Sequence, residues 1–202
     1  MLNSRQRGFT LVEVMVTLVI LIFLIALAAP MAIDWLQNVK LRTAGESLRS
    51  GIERARIEAL KRNTTVSFWM VADPNSRVPG NSCNLSSTSA AWVVSVQDPS
   101  GACGATPSLV DAPQLAQRSV ALENLEGVTV SAVDATGAGA TRVTFTGFGQ
   151  VDPNASRIQM IDLAQVNGNG QVLRVGIDAG GSVRMCDPNA VSNDPRRCPV
   201  FN

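Results

Sequence analysis

The residue whose chemistry is hardest to explain as packing is Glu13, a carboxylate at the head of the run VMVTLVILIFLIALAAPMAI. That run, residues 14–33, is twenty consecutive positions without a charge, long enough as a helix to cross a bilayer. A charged side chain in hydrocarbon costs about 2.5–3.5 kcal/mol on insertion scales, so an acid there reads as a functional group whose partner must be named. Histidine is absent, which removes the commonest general base and the commonest metal ligand. No nucleophile and base pair stands out, and the expectation is a protein that is not an enzyme and carries no cofactor.

The four cysteines, Cys83, Cys103, Cys186 and Cys198, all lie well beyond the apolar run. That usage points to disulfides in an oxidising compartment. Of the three pairings open to four cysteines, the sequence-local one, Cys83 with Cys103 and Cys186 with Cys198, is the most economical, and the others stay open. The segment DPNAVSNDPRR between the last two has almost no apolar content and needs a staple to become ordered. Four thiolates on zinc would call for CxxC spacing, which is missing. Asp-Pro-Asn occurs at Asp73, Asp152 and Asp187. It offers carboxylates that calcium could use, but it is also an ordinary turn former and lacks dense Asp-x-Asp spacing. Turns are expected, and no metal site.

Seventeen basic and sixteen acidic side chains leave a net charge of +1, so bulk electrostatics favour neither nucleic acid nor an anionic surface. A local basic cluster of Arg184, Arg196 and Arg197 would form if the stapled tail folded back, diluted by Asp187 and Asp194.

These residues must be positioned by two kinds of element. Before the apolar run stands SRQR, leading straight into Gly8-Phe9, an order unlike that of a secretory signal and its cleavage site. As a membrane anchor the run would keep Arg5 and Arg7 on the cytoplasmic side. Pro30, inside the run, removes a helical hydrogen bond and is expected to kink the helix. Beyond it, Leu41, Ala44, Leu48, Ile52, Ala55 and Ala59 recur at spacings of three and four, one face of an amphipathic helix. Basic and acidic residues such as Glu58 and Arg62 interleave on the other face and suit a solvated surface better than a nucleic-acid stripe. A helix from Phe9 to Arg62 would be roughly 80 Å long.

After Asn63, short runs such as TVSFWMV, AWVVSVQ, VTVSAV, RVTFTGFG, RIQMIDL, VLRVGID and SVRMC alternate with glycine- and proline-rich gaps. They predict an antiparallel sheet packed on the amphipathic helix, an α+β fold. The expected division is 1–8 as a leader, 9–36 as a hydrophobic transmembrane and assembly helix, and 37–202 as a globular head, with helix over 37–62 and β structure over 63–202.

The stretch RGFTLVE, Arg7 to Glu13, closely resembles the signal of type IV prepilins and type II secretion pseudopilins. The resemblance implies cleavage by prepilin peptidase between Gly8 and Phe9, N-methylation of Phe9, and pairing of Glu13 with the N-terminus of a neighbouring subunit. In that family a proline placed like Pro30 is associated with helix melting in the filament. SLRSGIERARIEALKRNTTVSF, the strand at Trp92, VTFTGFGQV and VGIDAGGSVRMCDPN together resemble the GspH/FimT group of minor pilins and pseudopilins. A pilin-like fold is implied, with an inner-membrane anchor, a periplasmic head, and other minor and major pilins as partners. The function implied is that of a minor pilin that helps initiate or cap a type IV pilus and so supports biogenesis, adhesion, twitching motility or DNA uptake. Two alternatives follow from the same group: a DNA-binding minor pilin for natural transformation, and a minor pseudopilin of type II secretion. For the first, the group's Gly-Arg-x-Arg motif falls on Gly181-Ser182-Val183-Arg184, where Ser182 replaces one arginine.

Overall fold

The computed structural model describes residues 9–76, 78–120, 127–154, 157–166 and 171–201, with the side chains of 27–34 outside the description. The chain divides into two compact units, Met1–Leu36 and Gln37–Asn202. One helix, α1 (Leu11–Arg62), contributes to both.

In the second unit the helical spacing of apolar residues becomes a buried row. Leu41 is 2% exposed, and Ala44, Leu48, Ile52, Ala55 and Ala59 are fully buried. Burying Leu48 and Ile52 alone stabilises the fold by about 1.5–3 kcal/mol each. On the opposite face Arg42–Glu46 (3.3 Å) and Arg49–Glu53 (2.9 Å) are exposed ion pairs one helical turn apart, contributing about 0.3–0.5 kcal/mol each. The helix ends where Asn63 takes a left-handed φ of 48° and the Thr64 N–H donates to the Ala59 carbonyl (3.4 Å). This bond satisfies a last-turn carbonyl in the Schellman manner.

Among the described residues nine strands follow: β1 (Val66–Ala72), β2 (Asn84–Leu85), β3 (Trp92–Ser95), β4 (Leu115–Arg118), β5 (Val128–Val133), β6 (Arg142–Phe145), β7 (Met160–Gln165), β8 (Leu173–Ile177) and β9 (Val183–Cys186). They form two antiparallel sheets rather than the one that the sequence led us to expect. Sheet one has β1 at its centre, with β3 and then β4 on one side. On the other side β6 and β2 share an edge, since the Met70 N–H donates to Thr141 O while Met70 O accepts from the Ser86 N–H. Sheet two runs β5-β7-β8-β9. The chain therefore leaves sheet one for β5, returns for β6, and leaves again. Strand alternation names the buried face of each strand but not its neighbours, so this division is invisible in the pattern.

The inner faces share one core with the helix. Phe68, Met70, Trp92, Val94, Val143 and Phe145 of sheet one meet Ile161, Leu163, Val175 and Ile177 of sheet two. The helix reaches each sheet through a glycine. A Cβ on Gly51 would sit 2.7 Å from the Trp92 ring, and one on Gly45 would sit 2.6 Å from the Leu173 side chain. Ser47 lies between them and accepts a hydrogen bond from Trp92 Nε1 (3.1 Å).

The outer faces differ. That of sheet one carries a second cluster of Trp69, Val71, Val93 and Leu115 with Cys83 and Cys103. That of sheet two carries the Arg174–Asp162 ion pair, a fork of 2.6 and 2.8 Å.

Candidate functional site

Thr10 and Glu13 begin α1 together. The Glu13 N–H donates to Thr10 Oγ1 (3.3 Å) and the Val14 N–H to Thr10 O (3.2 Å). Thr10 is thus the N-cap and Glu13 the third helical residue, the spacing of a capping box. A carboxylate in the first turn also faces the positive end of the helix dipole. The Thr-x-x-Glu spacing of Thr10 and Glu13 is the sequence signal for this local role, which the expectation of an intersubunit partner did not include.

Phe9 is 82% exposed, and no large apolar side chain from Leu11 to Ile25 is less than 46% exposed. Within the described residues nothing covers these side chains. Among the described residues no helix is long and apolar enough to cross a membrane. Gly8, the expected cleavage position, lies outside the described residues. The Pro30 side chain lies outside them too, while the backbone there belongs to the uninterrupted α1 helix.

The second candidate region is the C-terminal tail. Cys83 is joined to Cys103 and Cys186 to Cys198. Beside the second disulfide the Asp187 N–H donates to the Arg196 carbonyl (2.7 Å), and Asp187 bridges to Arg197 in parallel register. The tail then closes on sheet two. Phe201 is 9% exposed with its ring against Gly176, where a Cβ would overlap it. The Phe201 carbonyl accepts from Gln159 Nε2 (2.8 Å).

The three arginines proposed for DNA are held differently. Arg184 is exposed on β9, opposite Gly176 in register. Arg197 is exposed next to Cys198. Arg196 is committed to Asp194 through Nε and Nη2, with a shortest distance of 2.7 Å. The Arg196 side chain, helped by the Arg196 backbone N–H, holds the Asp194 carboxyl down at about 2. At the Gly181-Ser182-Val183-Arg184 stretch, Ser182 spends its hydroxyl on Asp178 (2.7 Å) and the Gly181 carbonyl accepts from Arg56 Nη1 (3.1 Å). The charged face of α1 is less solvated than its interleaved charges predict: Arg56 reaches across to the turn before β9, and Glu58 is buried at 9% exposure, paired with Arg62 at 3.3 Å. Phe201 was not singled out, because nothing local marks a penultimate aromatic residue as a plug.

Each Asp-Pro-Asn folds as a turn in which the aspartate Oδ1 accepts the N–H two residues on. The distance is 2.9 Å at Asp73, Asp152 and Asp187 alike. Asp73 also accepts from Ser82 Oγ (2.6 Å) and the Gly80 N–H (2.8 Å). These bonds, Ser82 first, lower its carboxyl below the ordinary range.

Residues 44–193 match the family model described as type II transport protein GspH, and residues 3–29 match the prokaryotic N-terminal methylation motif. The chain belongs to the GspH family. The methylation motif of this GspH-family chain spans Gly8, Phe9 and Glu13. No curated protein matches it. Among solved structures it is similar to the type IV minor pilin FimU of Pseudomonas aeruginosa (strain PAO1) in two crystal forms, each at 14% identity. One has a TM-score of 0.45, covering 75% of this chain and 97% of that chain. The other has a TM-score of 0.48, covering 79% and 97%.

Proposed function

We propose that the chain is a minor pilin, cut by prepilin peptidase between Gly8 and Phe9, methylated at Phe9, held in the inner membrane by residues 9–36, and assembled with minor and major pilins into a type IV pilus that it helps to initiate or cap. The observation that carries this reading is the methylation motif over residues 3–29, which leads into a helix whose apolar residues are exposed on every side. Glu13 then has two roles in sequence. In the monomer it supports the first helical turn with Thr10; in the filament it pairs with the positive N-terminus of a neighbouring subunit. In a low-dielectric setting that attraction is far stronger than in water. Removing either charge strands the other, which makes the pair a device for axial register.

Intact mass of protein recovered from cells tests processing: a chain starting at Phe9 and heavier by one methyl group is expected. A chain that keeps Met1 overturns the proposal. Glu13→Ala should still be processed but should enter sheared pili at a small fraction of the parent level.

A second reading, a minor pseudopilin, is favoured by the description of the matched family as a type II transport protein. Deletion of the gene separates the two: loss of surface pili with secretion intact supports the first, and loss of exoprotein secretion with pili intact supports the second. The DNA-binding alternative rests on Arg184 and Arg197, with Arg196 paired to Asp194, and a mobility-shift titration at low salt tests it.

A further inference from the structure

The loop carrying Cys83 and Cys103 covers only part of the outer face of sheet one. Toward the start of β1 the face turns polar and opens into a groove of about 370 Å³, within the roughly 300–1,000 Å³ of small-molecule sites. Trp69 stands at the border: its residue is 4% exposed, it belongs to the apolar cluster, and it also lines the groove. The Arg142 guanidinium lies over the Trp69 ring at 5.3 Å. Next in register come Ser67 and Thr144, whose hydroxyls bond each other at 2.8 Å on the floor. Asp98 and Asp152 also line the groove.

The hydrogen-bonding capacity left over defines what this groove would take. The Arg142 carbonyl accepts from the Ile158 N–H (2.8 Å), but its guanidinium makes no hydrogen bond or ion pair among the described residues, so that fork of donors is uncommitted among them. Trp69 Nε1 also lacks a partner among them, but it is fully buried and is not offered to the groove. Asp152 spends Oδ1 on the Asn154 N–H, and Asp98 spends Oδ1 on the N–H and hydroxyl of Ser100. The Oδ2 of each has no partner among the described residues. The groove therefore offers strong donors and strong acceptors side by side, next to an aromatic ring. With two carboxylates against one guanidinium it repels phosphate, carboxylate and nucleic-acid backbones. A neutral ligand whose groups each donate and accept satisfies both sets at once.

We propose that this groove binds a neutral saccharide, with Arg142 donating to ring or hydroxyl oxygens and Asp98 and Asp152 accepting from hydroxyls, while Trp69, beneath the Arg142 guanidinium, senses occupancy through that contact. None of these residues belongs to α1, so the proposal does not draw on the helix that carries the assembly reading.

The test uses the full chain in a detergent without sugar headgroups, labelled with fluorotryptophan. Its three tryptophans, Trp35, Trp69 and Trp92, give three fluorine resonances, and Trp69→Phe assigns one of them. Methyl glycosides of glucose, galactose, mannose and N-acetylglucosamine are titrated in turn. At least one should shift the Trp69 resonance saturably while leaving Trp35 in place. Arg142→Ala and Asp152→Asn should each weaken that affinity about tenfold or more, and Arg184→Ala, on the other sheet, should not. Asp152→Asn is near-isosteric and keeps the test decisive should Arg142→Ala fail to fold. The proposal is overturned if no glycoside moves the Trp69 signal, if the affinity survives Asp152→Asn, or if acetate or inorganic phosphate binds at the groove while the sugars do not.

Discussion

On the outer face of sheet one the disulfide Cys83–Cys103 is buried, with its half-cystines 1% and 0% exposed inside a cluster that includes Trp69, Val71, Val93 and Leu115. On the outer face of sheet two Cys186–Cys198 fastens a tail whose residues between the half-cystines are mostly exposed and which is closed by one ring, Phe201. The spacings of 20 and 12 residues predict nearly the same chain-entropy contribution, about 3 kcal/mol each. Loop length therefore does not distinguish the two staples. Burial does: the first is part of a packed layer, whereas the second orders a segment that has little else to hold it.

The largest effect should come from breaking the first staple. Replacing Cys83 and Cys103 with alanine removes the cross-link and thins the cluster, a loss of about 4 kcal/mol. The thermal midpoint by circular dichroism should fall by about 8–16 °C. Next comes Phe201→Ala, which leaves Gly176 uncovered and the Gln159 amide without its anchor. A loss of about 3 kcal/mol is expected, at the low end for a buried phenylalanine because the residue keeps 9% of its exposure. Replacing Cys186 and Cys198 with serine should lower the midpoint less than the Cys83 and Cys103 change does. It should instead speed hydrogen exchange across 187–200, because the tail can open without the sheet. Equal midpoint losses from the two double substitutions would erase the comparison. Smallest is the acid response of the tail. The Asp194 carboxyl is held at about 2 against an ordinary 3.8, so its link to Arg196 is intact above about pH 4 and is lost as pH falls through about 2. A carboxyl carbon titration by NMR should place that midpoint near 2, and Arg196→Ala should return it toward the ordinary value.

The helix was the most legible part of the chain, because its buried row repeats at a period that packing cannot disguise. Strands such as β5, VTVSAV, were legible for the same reason at period two. β4, Leu115–Arg118, was missed: it follows Pro113 and Gln114 and has no β-branched residue, so its pairing with β3 supplies what local propensity does not. β2, only Asn84–Leu85, is too short to carry a pattern. The candidate regions split along the same line. Glu13 stood out because it breaks a run, and the half-cystines because of their type. The Arg142 groove did not, because Trp69, Arg142 and Asp152 are brought together by register between distant strands, which no local window contains. Arg56 failed to stand out for a different reason: a guanidinium on a charged helix face looks solvated until the turn it reaches is known.

The docked Phe201 ring has a practical consequence for anyone tagging this chain. A reporter fused after Asn202 would be separated by a single residue from a side chain that must stay wedged against Gly176, so its drag would pull directly on the closure. Labels are better attached at exposed head positions such as Leu109 or Val110, where a cysteine-free coupling chemistry would also spare both disulfides.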